Sequence, residues 1–363
     1  MLYESYQAQA DFLLPLRAWA RTAQAAFAWV DGDPAHALLR RTVASWEMLG
    51  RFALTHTRPD YAIASVVCGG RRVAVTEAVA LGTPFGALLH FAKETEAPQP
   101  RVLLVAPLSG HFSTLLRNTV ETMLQDHDVY ITDWFNARDV PVAAGDFHFA
   151  DYIDTVIAFL EHLGPGAHVV AVCQPCVQVL AAAALMAARK HPCQPLSMTL
   201  MGGPIDVRQS PTTVNALAFD HPIEWFEQNL IATVPMRYRG AGRRVYPGFV
   251  QLNAFMQMNM ERHVSAHRAL YNALADGDAA TAAKIKDFYD EYFAVLDLPA
   301  EFYIETVRLV FQEALLAKGA LTHRGEAVDP GKIRRTALLT VEGERDDVCA
   351  LGQTSAAHDL CTG

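Results

Sequence analysis

The hydrophobic pattern changes character along these 363 residues. Over residues 1–60 apolar positions recur at helical spacing, as in Phe12, Leu13, Leu16, Ala18 and Trp19 and again in Trp46, Leu49 and Phe52, so an N-terminal helical arm is expected. Between Ile63 and Leu89, short β-favouring runs at 63–67 and 72–75 flank Gly69-Gly70, which suits a hairpin or strand pair. From Arg101 onwards the runs at 102–106, 129–132, 168–172, 197–201 and 337–341 are almost continuously apolar rather than alternating. Such strands are covered on both faces, and with helical patterns between them they predict an α/β architecture with a doubly wound, mainly parallel sheet.

About 130 residues separate the fourth of these strands from the fifth, far more than an ordinary crossover requires. A large helical lid insertion is expected there, with helical patterns at 223–230, 250–274, 278–295 and 300–316. Its densest apolar set, Phe249, Leu252, Phe255, Met256, Met258 and Met260, reads as lid core. The chain then divides into an arm (1–60), a first part of the core (61–206), the lid (207–330) and a second part of the core (331–363).

Composition narrows the classes of partner. A formal charge of -9 with no Lys/Arg-rich run argues against nucleic acid. Glu4 and Asp11 interrupt the N-terminus, so it does not read as a signal peptide, and the apolar run 179–188 stops at Arg189-Lys190, short of the roughly 18 residues of a membrane span. A cytoplasmic protein is expected. The six cysteines (68, 173, 176, 193, 349 and 361) then read as free thiols rather than a disulfide framework.

Candidate chemistry centres on Ala171-Val172-Cys173-Gln174-Pro175-Cys176, which follows the strand 168–172 and opens a small-residue helix at 177–188. A strand, a nucleophile between small residues and an immediate helix form the layout of a nucleophile elbow. The turn exposes Cys173, the helix N-terminus favours its thiolate, and the Gln174 N–H is a candidate oxyanion donor. The same residues also read as the CxxC of a thiol oxidoreductase, and Cys173 and Cys176 with His358 and Cys361 as a remote zinc set; no metal is expected. The loop Ala106-Pro107-Leu108-Ser109-Gly110-His111 offers Ser109 and Gly110 as a second oxyanion source. His111 is either a substrate contact or a loop histidine. In the loop after 337–341, Asp346 is the candidate triad acid, with Asp347 and then Asp206 as alternatives. No triad histidine is found, since His358 lies in a helical pattern at 352–361, and the C-terminal end of the fold is expected to be missing.

Several of these stretches together resemble the intracellular polyhydroxyalkanoate (poly-3-hydroxybutyrate) depolymerases, cysteine-nucleophile α/β-hydrolases related to polyhydroxyalkanoate synthases. They are Met1-Leu2-Tyr3-Glu4, Ala106 to His111, Tyr130-Ile131-Thr132-Asp133-Trp134, Ala171 to Pro175, Met201-Gly202-Gly203-Pro204-Ile205-Asp206 and Gly343-Glu344-Arg345-Asp346-Asp347. The resemblance implies Cys173 as nucleophile and Asp346 as triad acid, with a histidine in a Gly-His-Tyr-Gly segment that this sequence does not contain. It further implies residence on cytoplasmic storage granules and polyester cleavage by water or coenzyme A to short hydroxyacyl products. Part of the lid's methionine and aromatic set would then touch polymer. A synthase-like acyltransferase and a catalytically degenerate granule-binding protein are the alternative readings.

Overall fold

The computed structural model describes residues 2–27, 29–30, 36–95 and 98–362; Met1, 31–35 of the expected arm and Gly363 lie outside them. The arm is two helices, α1 (Leu2–Ala26) and α2 (Ala37–Arg51), which meet through Trp19 and Trp46 with ring centroids 5.8 Å apart. Gly69 and Gly70, both at positive φ, turn the antiparallel hairpin of β1 (Ser65–Cys68) and β2 (Arg71–Ala74). A second antiparallel pair follows, β3 (Thr76–Thr83) and β4 (Gly86–Ala92).

Strands and helices then alternate: β5 (Arg101–Val105), α3 (Arg117–Met123), β6 (Asp128–Trp134), α4 (Phe149–Leu163), β7 (His168–Val172), α5 (Cys176–Ala188) and β8 (Ser197–Met201). The chain next leaves the sheet through α6 (Thr213–Asp220), α7 (Ile223–Leu230), β9 (Ala232–Thr233), β10 (Arg244–Tyr246), α8 (Gly248–Met258), α9 (Met260–Asp276), α10 (Ala279–Tyr292), β11 (Leu298–Pro299) and α11 (Ala300–Thr306). A small hairpin, β12 (Thr322–His323) and β13 (Glu326–Ala327), precedes the return as β14 (Ala337–Val341) and α12 (Ala357–Leu360).

The main sheet has seven strands in the order β14-β8-β7-β5-β6-β4-β3. The pairings from β14 to β6 are parallel, and β4 joins β6 antiparallel. Apolar composition explains why the centre is doubly covered: Val102, Leu103, Leu104 and Val105 are all buried, and the small residues of α5 let it lie flat on the sheet, with every residue from Cys176 to Met186 buried. Strand order, crossovers and the turn after β7 make this an α/β-hydrolase fold.

Several local expectations change. The pattern at 250–274 is two helices broken at Asn259, and the pattern at 300–316 is α-helical only to Thr306, continuing as a π-helix, Val307–Gln312. The pattern at 352–361 is helical only in α12. Apolar spacing tolerates such breaks because it records which face is buried and not the hydrogen-bond ladder. The antiparallel β9, β10 and β11 escaped notice because two- and three-residue strands are too short to show a period of two.

Candidate active site

The turn between β7 and α5 is held from three sides. Cys173 has φ of +68°, a conformation adopted by few non-glycine residues of the chain. Its N–H donates to the Met201 carbonyl (2.7 Å) and its own carbonyl accepts from Cys176 N (3.1 Å), so strand ends and helix begins within three residues. Pro175 (φ -65°) enters the helix without needing the N–H it lacks. Opposite, Gly203 lets the loop after β8 close in. A Cβ there would lie 2.2 Å from Cys176 Cβ and 2.8 Å from the Cys173 carbonyl oxygen.

Cys173 is half-buried. Burial pushes its thiol above the ordinary range; a hydrogen bond from the Gln174 N–H pulls it down, and the negative charge of Asp346 pushes it up again. Cys176 sits in a different environment. It is fully buried, its Sγ faces the Ala171 and Met201 carbonyls (3.5 and 3.7 Å), and burial drives its pKa far up, so it packs as an inert thiol. The zinc set does not assemble: among the described residues no group of three or more His, Cys, Asp or Glu could hold a metal ion.

The loop after β5 faces the insertion. Gly110 is buried at φ +96°, its carbonyl accepts from Leu296 N (2.9 Å), and a Cβ there would meet Gln251 of α8 at 2.8 Å. Ser109 is half-buried beside it. His111, a candidate substrate contact, is instead committed to the lid. It is 6% exposed, its Nε2 pairs with the Tyr292 carbonyl (3.1 Å), and its ring stacks on Tyr292 and Phe255. Burial lowers its pKa to about 4, so it is neutral near pH 7.

The three candidate acids separate clearly. Burial would raise Asp206, but its bonds to Arg208 Nε (2.7 Å) and Nη2 (2.9 Å) outweigh that and hold it low, so it is already paired. Asp347 is exposed and accepts from Asn259 Nδ2 (3.2 Å). Asp346 is half-buried. Its Oδ1 accepts from the N–H groups of Val348 (2.9 Å) and Cys349 (3.0 Å), and a Cβ on Gly202, in the loop after β8, would lie 3.6 Å from its Oδ2. Of the three, it is the one whose charge acts on Cys173. No imidazole among the described residues hydrogen-bonds to Cys173 or Asp346; His358 pairs with Thr340 Oγ1 (3.1 Å).

Sequence reasoning overlooked three supporting residues. Glu342 accepts from the N–H groups of Gly352 (3.1 Å), Thr354 (2.7 Å) and Ser355 (2.8 Å), gathering the acid loop. Buried Thr354 then clamps Gly203, accepting from its N–H (2.8 Å) and donating to its carbonyl (2.9 Å). Thr306 of α11 accepts from Gln174 Nε2 (3.2 Å), tying the lid to the elbow. An acid directly ending β14 before a glycine was a signal for Glu342; the two threonines carry none.

Residues 202–363 match the family model described as PHB de-polymerase C-terminus. None of the curated proteins matches the chain. Among solved structures, the chain is similar to a hydrolase from Pseudomonas aeruginosa PA01 (13% identity, 79% of this chain and 86% of that one, TM-score 0.41). It is also similar to an alpha/beta fold family hydrolase from Bacillus anthracis str. Sterne (12% identity, 79% and 88%, TM-score 0.37). A third is a 2-hydroxy-6-oxo-6-phenylhexa-2,4-dienoate hydrolase from Rhodococcus sp. strain RHA1 (14% identity, 79% and 88%, TM-score 0.40).

Proposed function

We propose that this chain, whose residues 202–363 match the PHB depolymerase family model, cleaves the ester bonds of polyhydroxyalkanoate through an acyl intermediate on Cys173. The observation that carries the cysteine is the strained turn at φ +68°, which ends β7 and opens α5 at Cys173. The thiol gives up its proton and the thiolate attacks the ester carbonyl carbon. The oxyanion rests on Gln174 N–H and the Ser109-Gly110 loop, and the C–O bond breaks as the alcohol leaves with a proton. Water, or coenzyme A as an alternative acceptor, then cleaves the thioester and restores the thiol.

Asp346 is the group that would orient a base for this proton. Burial pushes the Cys173 thiol up, so its ionisation would depend on such a base. The reading carries with it a cytoplasmic place at the polymer granule surface. Among the described residues no helix is long and apolar enough to cross a membrane.

Incubation with a hydroxybutyrate trimer followed by peptide mass mapping tests the assignment. The expected result is a hydroxyacyl adduct on Cys173 and its loss in Cys173→Ala; an adduct on Cys176 instead would overturn the nucleophile. Polymer formation from hydroxyacyl-coenzyme A would favour the acyltransferase reading. Granule co-sedimentation without adduct or product would favour binding alone.

A further inference from the structure

Strand β5 runs between β6 and β7, and its two ladders end at different heights. Towards β7 the pairing continues to Val105 opposite Ala171, two residues before Cys173; towards β6 it stops at Leu104 opposite Ile131. Ala106, next along the chain, is fully buried, and its peptide groups still need partners. Side chains at the end of β6 supply them. Thr132 Oγ1 accepts from the Ala106 N–H (2.8 Å), and Trp134 Nε1 donates to the Ala106 carbonyl (3.0 Å), which also accepts from the Tyr152 hydroxyl of α4 (2.9 Å). Between these two residues, Asp133 accepts from Ser113 Oγ (2.5 Å) at the far end of the loop and is ion-paired with Arg58 Nε (2.8 Å). Thr132, Asp133, Trp134, Tyr152 and Ser113 are all buried. The loop 106–113, which carries Ser109 and Gly110, is therefore held at both ends by three consecutive residues of β6.

We infer that Thr132, Asp133 and Trp134 are positioning residues that set the loop 106–113, and with it the oxyanion donors of Ser109 and Gly110, at the height of Cys173. The inference rests on the ester-cleaving reading above. A backbone ladder would carry β5 straight on beside β6. Side-chain partners instead let the chain leave the ladder with its peptide groups still paired, so Thr132 and Trp134 fix where the loop departs and Asp133 fixes where it ends. Burial pushes the Tyr152 phenol well up, and charge on Cys176 or Cys173 would push it further, so the hydroxyl that shares the Ala106 carbonyl also lies near the elbow. Oxyanion donors act only within hydrogen-bond reach of the oxygen that gains charge, and a displacement of about 1 Å can cost on the order of a hundredfold in rate. None of the three residues touches substrate. The competing role is plain satisfaction of buried peptide groups, which would give the fold stability and leave the chemistry of Cys173 alone.

The test compares two reactions of Cys173 in the full chain and in Thr132→Val, Trp134→Phe and Thr132→Ser: acylation by p-nitrophenyl butyrate, followed as release of p-nitrophenolate, and alkylation by iodoacetamide. Acylation passes through an oxyanion; alkylation at a saturated carbon does not and reads the thiol alone. In Thr132→Val and Trp134→Phe acylation should slow about tenfold or more while alkylation keeps its native rate. Thr132→Ser, which retains the hydroxyl, should restore acylation. Trp134→Phe keeps a ring against Phe147 and Tyr152 and decides the matter if Thr132→Val does not fold. An unchanged ratio of the two rates in folded variants, whatever their thermal midpoints, would leave the β6 residues a structural role and overturn the inference. A native chain that is alkylated at Cys173 yet releases no p-nitrophenolate would remove the ester-cleaving reading itself, and the positioning role with it.

Discussion

The turn after β7 and the loop after β14 face each other across β8, yet they hold their chemical groups by different means. Around Cys173 the work is done by packing: Ala171 and Cys176 are fully buried, and Gly203 leaves no room for a Cβ. Around Asp346 the neighbours Gly343, Glu344, Arg345 and Asp347 are exposed, and the loop keeps its shape through amide N–H groups gathered on the carboxylates of Glu342 and Asp346. A nucleophile needs a fixed, water-shielded position. A carboxylate that stays charged needs hydrogen bonds and access to solvent. The two sides should therefore fail differently.

The largest effect is expected on the packed side. Gly203→Val would drive a side chain into Cys176 and the Cys173 carbonyl, and overpacking of this kind against backbone should cost about 3 kcal/mol or more. Urea unfolding would register it as a large loss of midpoint, and a midpoint within experimental error of the native one would show that the elbow yields easily.

On the hydrogen-bonded side, Glu342→Gln weakens three amide contacts and should cost about 1–2 kcal/mol. Burial tends to raise Glu342, but the amide donors outweigh it and hold its folded pKa below the ordinary value of 4.5. Its contribution is therefore complete above that value and lost as pH falls through the lower folded value. The native chain should lose this increment in acid, and the glutamine variant should not.

Cys173→Gly separates strain from chemistry. Glycine tolerates φ of +68°, so relief of strain should roughly cancel its added chain entropy or leave a net gain of up to about 1 kcal/mol, with adduct formation abolished. A marked loss of stability would mean that the turn is unstrained. The smallest effect concerns coupling between the two sides. Because burial, and then Asp346, raise the Cys173 thiol, its alkylation by iodoacetamide should still climb with pH after an ordinary thiol has levelled off, and Asp346→Asn should move that profile to lower pH. Identical profiles in the two proteins would show that the loops do not communicate.

The elbow was readable because strand, small residue, nucleophile, small residue and helix are contiguous, so their joint meaning is local. The five parallel-sheet strands were readable for the same reason: a nearly continuous apolar run of four or five residues has few other uses once helices flank it, although the last, β14, lies at the sheet edge with Leu339 and Val341 exposed. Asp346 was readable only as one of three acids, since Asp206 and Asp347 have the same composition cues and differ in partners, Arg208 in one case and Asn259 in the other.

What sequence determined by itself was the α/β sheet and the candidate nucleophile, each encoded in residues close enough to constrain one another directly. Tertiary structure alone decided that His111 is locked under Tyr292, that Thr354 clamps Gly203 across 151 positions of chain, and that Gln174 meets Thr306 across 132. These are contacts between segments whose separation is set by the whole fold. A histidine, a threonine or a glutamine carries no local mark of the partner that burial will give it.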